Sequence, residues 1–365
     1  SSQSPESALF SVTSGKYELN TFNGKRLQVE KNEPLLITRF NGKMAVKSEH
    51  LKGFICDSLV LLGKTGNDFF TVRINDGTPH RQAYSGDFGC YPDLGTLVMI
   101  NKCNFETYIA GVVKAEGGTG RNKEYFKTQA ILARTYMYRY FNRHQADRYN
   151  LCDDTHCQAF NGLSKDSVIS RAVLETRGLV ILDRDNILIM SAFHSNCGGE
   201  TSSSEDVWLT SQPYLKRVVD PYCITSHNAI WEKHLSLKSW IDLMKKSGYD
   251  PKTDDAPAFT FIQKTRQDYY KAGSLIVPLS TLRTQLNLRS TFFSVFNNGD
   301  SIVLKGRGYG HGVGLCQEGA IEMAGEGRSY TQIIDFYYSG TIISDIKNAV
   351  IPSSQPYGAL YTKRP

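Results

Sequence analysis

From about Tyr17 to Asn104 apolar and polar residues alternate in short runs, LLITRF, MAVKS, LVLLG and FFTVRI, cut by the turn pairs Asn41-Gly42 and Asp76-Gly77. Alternation with period two places one face of each run against a core, and Asn-Gly or Asp-Gly supplies the positive φ angles of a tight hairpin. Residues 17–104 are therefore expected to form a small antiparallel barrel or sandwich, behind an N-terminal tail at 1–16. The pattern then changes. Phe126, Ala130, Ala133, Thr135, Met137 and Phe141 predict a core-packed helix over Lys123–Arg143. A second helix is predicted over Lys165–Glu175, running into a hairpin-like pair, GLVILD and ILIMSAFHSN, about the turn Arg184-Asp185-Asn186. That second arm delivers His194 to a loop. Leu237–Ser247 and Tyr330–Tyr338 read as helices, the latter closed by Gly340. The fold class expected is α+β, a β-rich N-terminal part coupled to a mixed core with a few helices.

With 365 residues and 40% hydrophobic content, the chain can bury a full core, as one elaborated domain or two coupled ones. No apolar run is long enough to span a bilayer. The opening SSQSPES has neither a charged nor an apolar targeting region, so a signal was either removed or absent. A formal charge of +6 without a long basic block does not point to nucleic acid, and it is compatible with a mildly polyanionic matrix. The eight cysteines suit either disulfides in an exported protein or metal binding where histidine lies close by. Cys56, Cys90 and Cys103 lack metal-ligand spacing and read as buried small residues or a simple disulfide.

Three distant segments, VVKAEGG, FHSNCGGETSSSEDVW and GRGYGHGVGLCQEGA, each pair glycine with acid, imidazole or thiol. A site assembled across a fold looks like this. Gly306, Gly308, Gly310, Gly312 and Gly314 occupy every second position, where a plain strand loses packing. They read as a glycine-walled floor presenting His311 and Gln317, or else as a bulged strand before a capped helix. Glu116 ends an apolar run. Held there its carboxyl would have a raised pKa, as a general acid requires; the plain alternative is a solvated residue near a helix start. Cys197 with His194 could be a thiol nucleophile and base, although no third orienting group is evident, and Cys197 could instead bridge to Cys223. Cys152, His156 and Cys157 in LCDDTHCQAF, with His144 upstream, offer four ligands suited to tetrahedral zinc; a Cys152–Cys157 disulfide is the alternative.

YIAGVVKAEGG, KTQAILARTYMYRY, CDDTHCQAFNG, AFHSNCGGET with its later VW and PYLKRVVD, and the glycine-histidine motif occur in an order that resembles the stage II sporulation protein D family, SpoIID/LytB. Its members cut or help cut bacterial peptidoglycan. The resemblance implies a family core over 105–344, with an insertion near 247–271 and a C-terminal tail at 345–365. It implies a lytic transglycosylase that cleaves the MurNAc-GlcNAc bond of peptide-stripped glycan strands to 1,6-anhydro ends, with Glu116 as the acid. His194, Ser195, Asn196, Thr201, Tyr309, His311 and Gln317 become candidate sugar contacts, and His144, Cys152, His156 and Cys157 ligands of zinc near the active site. The LytB branch implies an alternative, a non-catalytic peptidoglycan-binding module that stimulates an N-acetylmuramoyl-L-alanine amidase. Either role implies export to the periplasm or cell surface, with a lipid anchor on a removed N-terminal segment compatible with the serine-rich start. The chain departs from the family where Gly117 and Gly118 follow the glutamate in place of a common methionine, where Cys316 replaces a frequent serine, and in the spacing of the zinc ligands.

Overall fold

Asn41 and Gly42 adopt φ of 48° and 73°, and between them the chain reverses from one strand, Leu35–Phe40, into the next, Lys43–Lys47. This hairpin is the local rule of the first part of the structure, a computed structural model that describes residues 5–31, 33–74, 82–208, 210–250 and 259–350. The Asp76-Gly77 turn, part of the 247–271 insertion and both chain ends lie outside the described residues. The chain divides into two compact units. One takes the chain as far as Gly120 and again Tyr140–Arg177; the other takes Arg121–Arg139 and the chain from Gly178 onward.

Among the described residues, eleven strands build most of the first unit: β1 (Ser7–Ser14), β2 (Tyr17–Thr21), β3 (Arg26–Val29), β4 (Leu35–Phe40), β5 (Lys43–Lys47), β6 (Phe54–Cys56), β7 (Leu59–Gly63), β8 (Phe69–Ile74), β9 (Gln82–Ser85), β10 (Asp87–Asp93) and β11 (Thr96–Lys102). They pair antiparallel in two sheets, ordered β6-β5-β4-β1-β8-β9 and β11-β10-β7-β2-β3. Phe10 and Phe70 from the first sheet meet Tyr17 and Phe88 from the second in one aromatic cluster. The arrangement is a sandwich; no closed barrel occurs among the described residues. Ser7–Ser14, assigned from the sequence to a tail, are a central strand between β4 and β8, because Ala8, Phe10 and Val12 point inward from a serine-rich background. The unit is completed by helix α1 (Phe105–Gly117), and by α3 (Ser167–Glu175), which packs on it. Asp166 caps α3 by accepting from the Val168 and Ile169 N–H groups.

In the second unit α2 (Lys123–Arg139) is buried on nearly every side, Phe126, Ala130, Ile131, Ala133 and Met137 included. It ends four residues before the predicted stop, and residues 140–143 form turns. It packs on β12 (Leu179–Leu182). The predicted hairpin after β12 forms its turn, with Asp183 N–H on Ile187 O at 2.9 Å and Asn186 at φ 58°, and one step of antiparallel pairing, the Leu182–Leu188 bridge with Ile189 N–H on Ile181 O at 3.1 Å. Met190 then gives its N–H to the Tyr214 hydroxyl and Ser191 its hydroxyl to Leu132 O, which takes the second arm out of the ladder. Beyond α4 (Ser204–Trp208) and β13 (Phe193–His194), the strands β14 (Ile230–Ser236), β17 (Phe293–Asn297) and β18 (Ser301–Arg307) form an antiparallel sheet in the order β14-β18-β17. The helices α5 (Leu237–Lys246) and α6 (Leu279–Gln285) and the hairpin β15 (Tyr269–Ala272)–β16 (Leu275–Pro278) share its core around Trp240, Phe261, Tyr270 and Leu304. The chain continues through β19 (Leu315–Cys316), α7 (Gln317–Gly325), α8 (Tyr330–Tyr337) and β20 (Ile342–Asp345). β19 runs parallel to β13, and β20 is the ladder partner of β12. No helix among the described residues is long and apolar enough to cross a membrane.

Candidate functional site

Helix α1 starts where Asn104 accepts from the Glu106 N–H and stops at Gly118, φ 74°. Its inner face carries Ile109, Val112 and Val113, and at Gly111 the loop 160–162 comes so close that an added Cβ would lie 2.4 Å from the Phe160 ring. That packing delivers Glu116, in the last turn of α1, half-buried beside the same loop. Its Oε1 accepts from the Ala159 N–H at 2.7 Å. Burial raises the Glu116 pKa above the usual carboxylate range, and the Ala159 N–H only partly offsets this. The negative end of the helix acts in the same direction as burial. Glu116 is thus at a helix end, not at a helix start.

Two residues before Ala159 the same loop holds Cys157. His144, Cys152, His156 and Cys157 place one ligand atom each within 4.8 Å of one another. All eight cysteines are free thiols, Cys152 and Cys157 among them. His144 Nδ1 lies 2.9 Å from Asp147 Oδ2, while its Nε2 is buried without a hydrogen-bond partner. A carboxylate on one ring nitrogen and an unpaired second nitrogen is how a metal-ligating histidine is set. His156 Nδ1 lies 3.6 Å from Cys152 Sγ and 4.0 Å from Cys157 Sγ. The donor set fits zinc. Arg143, 3.2 Å from His156 Nε2, would have to stop donating to that nitrogen when Nδ1 takes a metal.

In the second unit the glycine segment is not a strand from Gly308 to Gly314. Gly308, Gly310, Gly312 and Gly314 all have positive φ, between 71° and 116°. What approaches their backbone is the chain itself. A Cβ on Gly308 would lie 2.6 Å from Asn196 O, one on Gly310 2.8 Å from His194 Cβ, and one on Gly314 2.1 Å from Ala192 O. The loops 192–202 and 308–316 therefore interlock, with Asn196 and Tyr309 exchanging both backbone hydrogen bonds. Cys316 caps α7 by accepting from the Gly319 N–H, so the capped helix of the alternative reading is present while its bulged strand is not.

The interlock sorts the predicted residues. His194 is buried; its Nδ1 pairs with Val313 O at 3.1 Å and its Nε2 has no partner. Burial lowers its pKa well below the usual imidazole range and lowers that of His311 to about 4. Both rings are neutral at neutral pH, 5.5 Å apart edge to face, with Trp208 5.1 Å from His311. Asn196 is fully buried and gives its amide N–H groups to Cys223 O, Ser226 and Glu318. Thr201, equally buried, bonds the backbone of Val218 and Lys216. These two hold the loop and do not face solvent. Ser195 and Gln317 are half-buried, and Tyr309 is 46% exposed, so these three and His311 have outward access. Cys197 is fully buried, with Cys223 Sγ at 3.3 Å and Asp220 Oδ2 at 3.2 Å, which leaves no open nucleophile for a thiol hydrolase. Glu318, unremarkable in the sequence, is a hub: its oxygens accept from Asn196, Ser226 and Asn228 at 2.5–2.6 Å. A cavity of about 350 Å³ in this unit is lined by His311, Ser202, Arg217, Arg266, Arg283 and Asp206, among others.

A family model described as SpoIID, stage II sporulation protein, matches residues 93–182, which include α1, Glu116 and the four clustered histidine and cysteine side chains. Stage II sporulation protein D of Bacillus subtilis is 31% identical over 260 residues, 66% of this chain and 74% of that protein. An uncharacterised protein of Brachyspira hyodysenteriae is 31% identical over 268 residues, 72% of each chain. The amidase enhancer of Bacillus subtilis is 29% identical over 289 residues, 65% of this chain and 40% of that longer protein. With the order of motifs carried through both units, these similarities make the chain a member of the stage II sporulation protein D family.

Proposed function

We propose that the protein is a lytic transglycosylase of bacterial peptidoglycan, with Glu116 as its single acid and base. The observation that carries this reading is a half-buried carboxyl whose pKa is raised by burial and whose Oε1 is fixed by the Ala159 N–H. A cell-wall role also agrees with relatives named stage II sporulation protein D and amidase enhancer. Ordinary glycosidases use two carboxylates. A transglycosylase needs one, because the substrate supplies its own nucleophile. Protonated Glu116 gives its proton to the oxygen between MurNAc and GlcNAc as that bond breaks. The carboxylate then takes the proton of the muramic C6 hydroxyl, whose oxygen closes on C1 to give the 1,6-anhydro ring. Orientation of an attack within one sugar contributes much of the rate. In the second unit we assign sugar contacts to Ser195, Tyr309, His311 and Gln317, the predicted residues with outward access, and a supporting role to His194, Asn196 and Thr201 behind them.

His144, Cys152, His156 and Cys157 would hold a zinc ion, which supplies a cross-link and no chemistry of its own. The cross-linked loop carries Ala159, so this site acts on Glu116 through position. Replacing both Cys152 and Cys157 by serine should lower product release by on the order of tenfold to a hundredfold, through misplacement of the carboxyl. The purified variant's rate against wild type checks this, and an unchanged rate would separate the loop from the acid. An exported location follows from the proposed substrate.

The test of the reading is mass spectrometry of products released from purified peptidoglycan, intact and amidase-stripped. Anhydro-muramyl products support it. Glycan binding with no released product, together with faster hydrolysis by an added cell-wall amidase, would replace it with the second reading. That reading, a peptidoglycan-binding module that stimulates an amidase, is favoured by the similarity to the amidase enhancer.

A further inference from the structure

Cys197, Asp220, Cys223 and Cys316 come from three separate stretches of chain, yet their ligand atoms all lie within 4.8 Å of one another and all four residues are buried. Cys197 Sγ is 3.3 Å from Cys223 Sγ and 3.2 Å from Asp220 Oδ2. Around a tetrahedral zinc with Zn–S of about 2.3 Å, sulfur pairs sit roughly 3.7 Å apart, so these donors need to open by only about half an ångström. A disulfide between Cys197 and Cys223 would account for two of the donors and leave Cys316 and Asp220 sealed in beside it. The surroundings are those of a thiolate centre. Cys316 Sγ accepts the N–H of Cys197 at 3.3 Å and of Gly319 at 3.4 Å, the latter in the first turn of α7. Asp220 has each oxygen occupied, Oδ1 by the Tyr222 N–H at 2.9 Å and Oδ2 by the Tyr337 hydroxyl at 2.9 Å. The buried Arg266 guanidinium donates to Cys197 O at 2.7 Å and brings positive charge next to the cluster. Gly319 is glycine because a Cβ there would lie 2.3 Å from the Tyr337 hydroxyl and 2.5 Å from Asp220 Oδ2. Three soft sulfurs and one carboxylate, closed to solvent and ringed by donors, describe a structural zinc site.

We propose that Cys197, Asp220, Cys223 and Cys316 bind a second zinc ion, which ties the 192–202 loop, the Asp220–Cys223 turn and the start of α7 into one rigid piece. Thiol protons leave to solvent as the metal enters, and no oxidant is needed. The ion sits behind the loop and touches no substrate. Its role is to fix the segments that carry Ser195, Asn196 and Glu318.

The experiment reads metal content, not activity, so it stands apart from the transglycosylase reading. Zinc per chain is measured by plasma mass spectrometry on the full chain purified without added metal, for wild type and three variants. One replaces Cys152 and Cys157 by serine, one replaces Cys197 and Cys316 by serine, and one carries all four changes. Serine at 316 keeps an oxygen to cap α7. The Cys152/Cys157 variant should retain about one zinc per chain, and the four-fold variant should lose it. No zinc in the first of these, or the same zinc in both, overturns the proposal. Should the four-fold variant fail to fold, cobalt loading of the Cys152/Cys157 variant decides the matter. A sulfur-to-cobalt charge-transfer band supports the site, and its absence, or a Cys197–Cys223 disulfide in the peptide map of wild type, rejects it.

Discussion

Glu116→Gln is expected to lower the release of anhydro-muramyl products by at least about a hundredfold, the lower end of what a positioned acid and base contributes. Glutamine keeps the shape and still accepts from the Ala159 N–H, so the loss would report the proton and not the packing. The same substitution should stabilise the protein near neutral pH. Burial disfavours the charged carboxyl and raises its pKa in the folded state, so the folded chain holds this proton where the unfolded chain has released it. The cost of burying the charge is absent below the ordinary glutamate pKa. It grows as pH rises through the window between that value and the raised one. Glutamine carries no such cost, and the melting temperature of the variant should therefore exceed that of wild type at neutral pH and converge with it in acid. In wild type the rate should fall as pH rises past the raised value, since the acid must be protonated. Product mass spectrometry and melting curves at several pH values check both halves. A variant that cleaves at the wild-type rate would remove Glu116 from the chemistry, while one that loses activity and stability together would mark it as structural.

What the sequence disclosed and what it hid follow from how far each signal reaches. The sandwich was legible because alternation and the Asn41-Gly42 turn are local. β1 was missed because Ala8, Phe10 and Val12 alternate within a run of serines that reads as a tail. The first histidine–cysteine cluster was legible as a cluster because His144, Cys152, His156 and Cys157 lie within one short stretch. The second was not: Cys197 and Cys223 suggested a bridge, and nothing in the sequence tied them to Asp220 and Cys316, from another part of the chain. Glu318 gave no signal, since a glutamate at a helix start is ordinary and its three partners come from distant loops. The glycine array misled in an instructive way. Arg307, Tyr309, His311, Val313 and Leu315 alternate with glycine as side chains alternate along a strand, while the positive φ that breaks the strand leaves no mark on composition.

Gly314→Ala tests that last point and should destabilise the protein by about 2 to 5 kcal/mol, the sum of a left-handed backbone cost and overpacking against a fixed neighbour. Gly314 has φ 71°, and the added methyl would lie 2.1 Å from Ala192 O. That oxygen is not free to retreat, because it accepts the Leu315 N–H at 3.1 Å and the Tyr338 hydroxyl at 2.5 Å. Relief of the clash must break one of these bonds or part the short parallel pairing of Phe193–His194 with Leu315–Cys316. Gly327→Ala is the matched comparison. Gly327 has φ 87° and open space where its Cβ would stand, so only the backbone cost of about 1 kcal/mol applies. Urea unfolding followed by tryptophan fluorescence gives both values. A large gap between the two variants means that the glycines exist to let the 192–202 loop reach the backbone of the motif. Equal small losses would mean that the loops can part without penalty, and the floor they build under Tyr309 and His311 would then be too soft to hold a sugar.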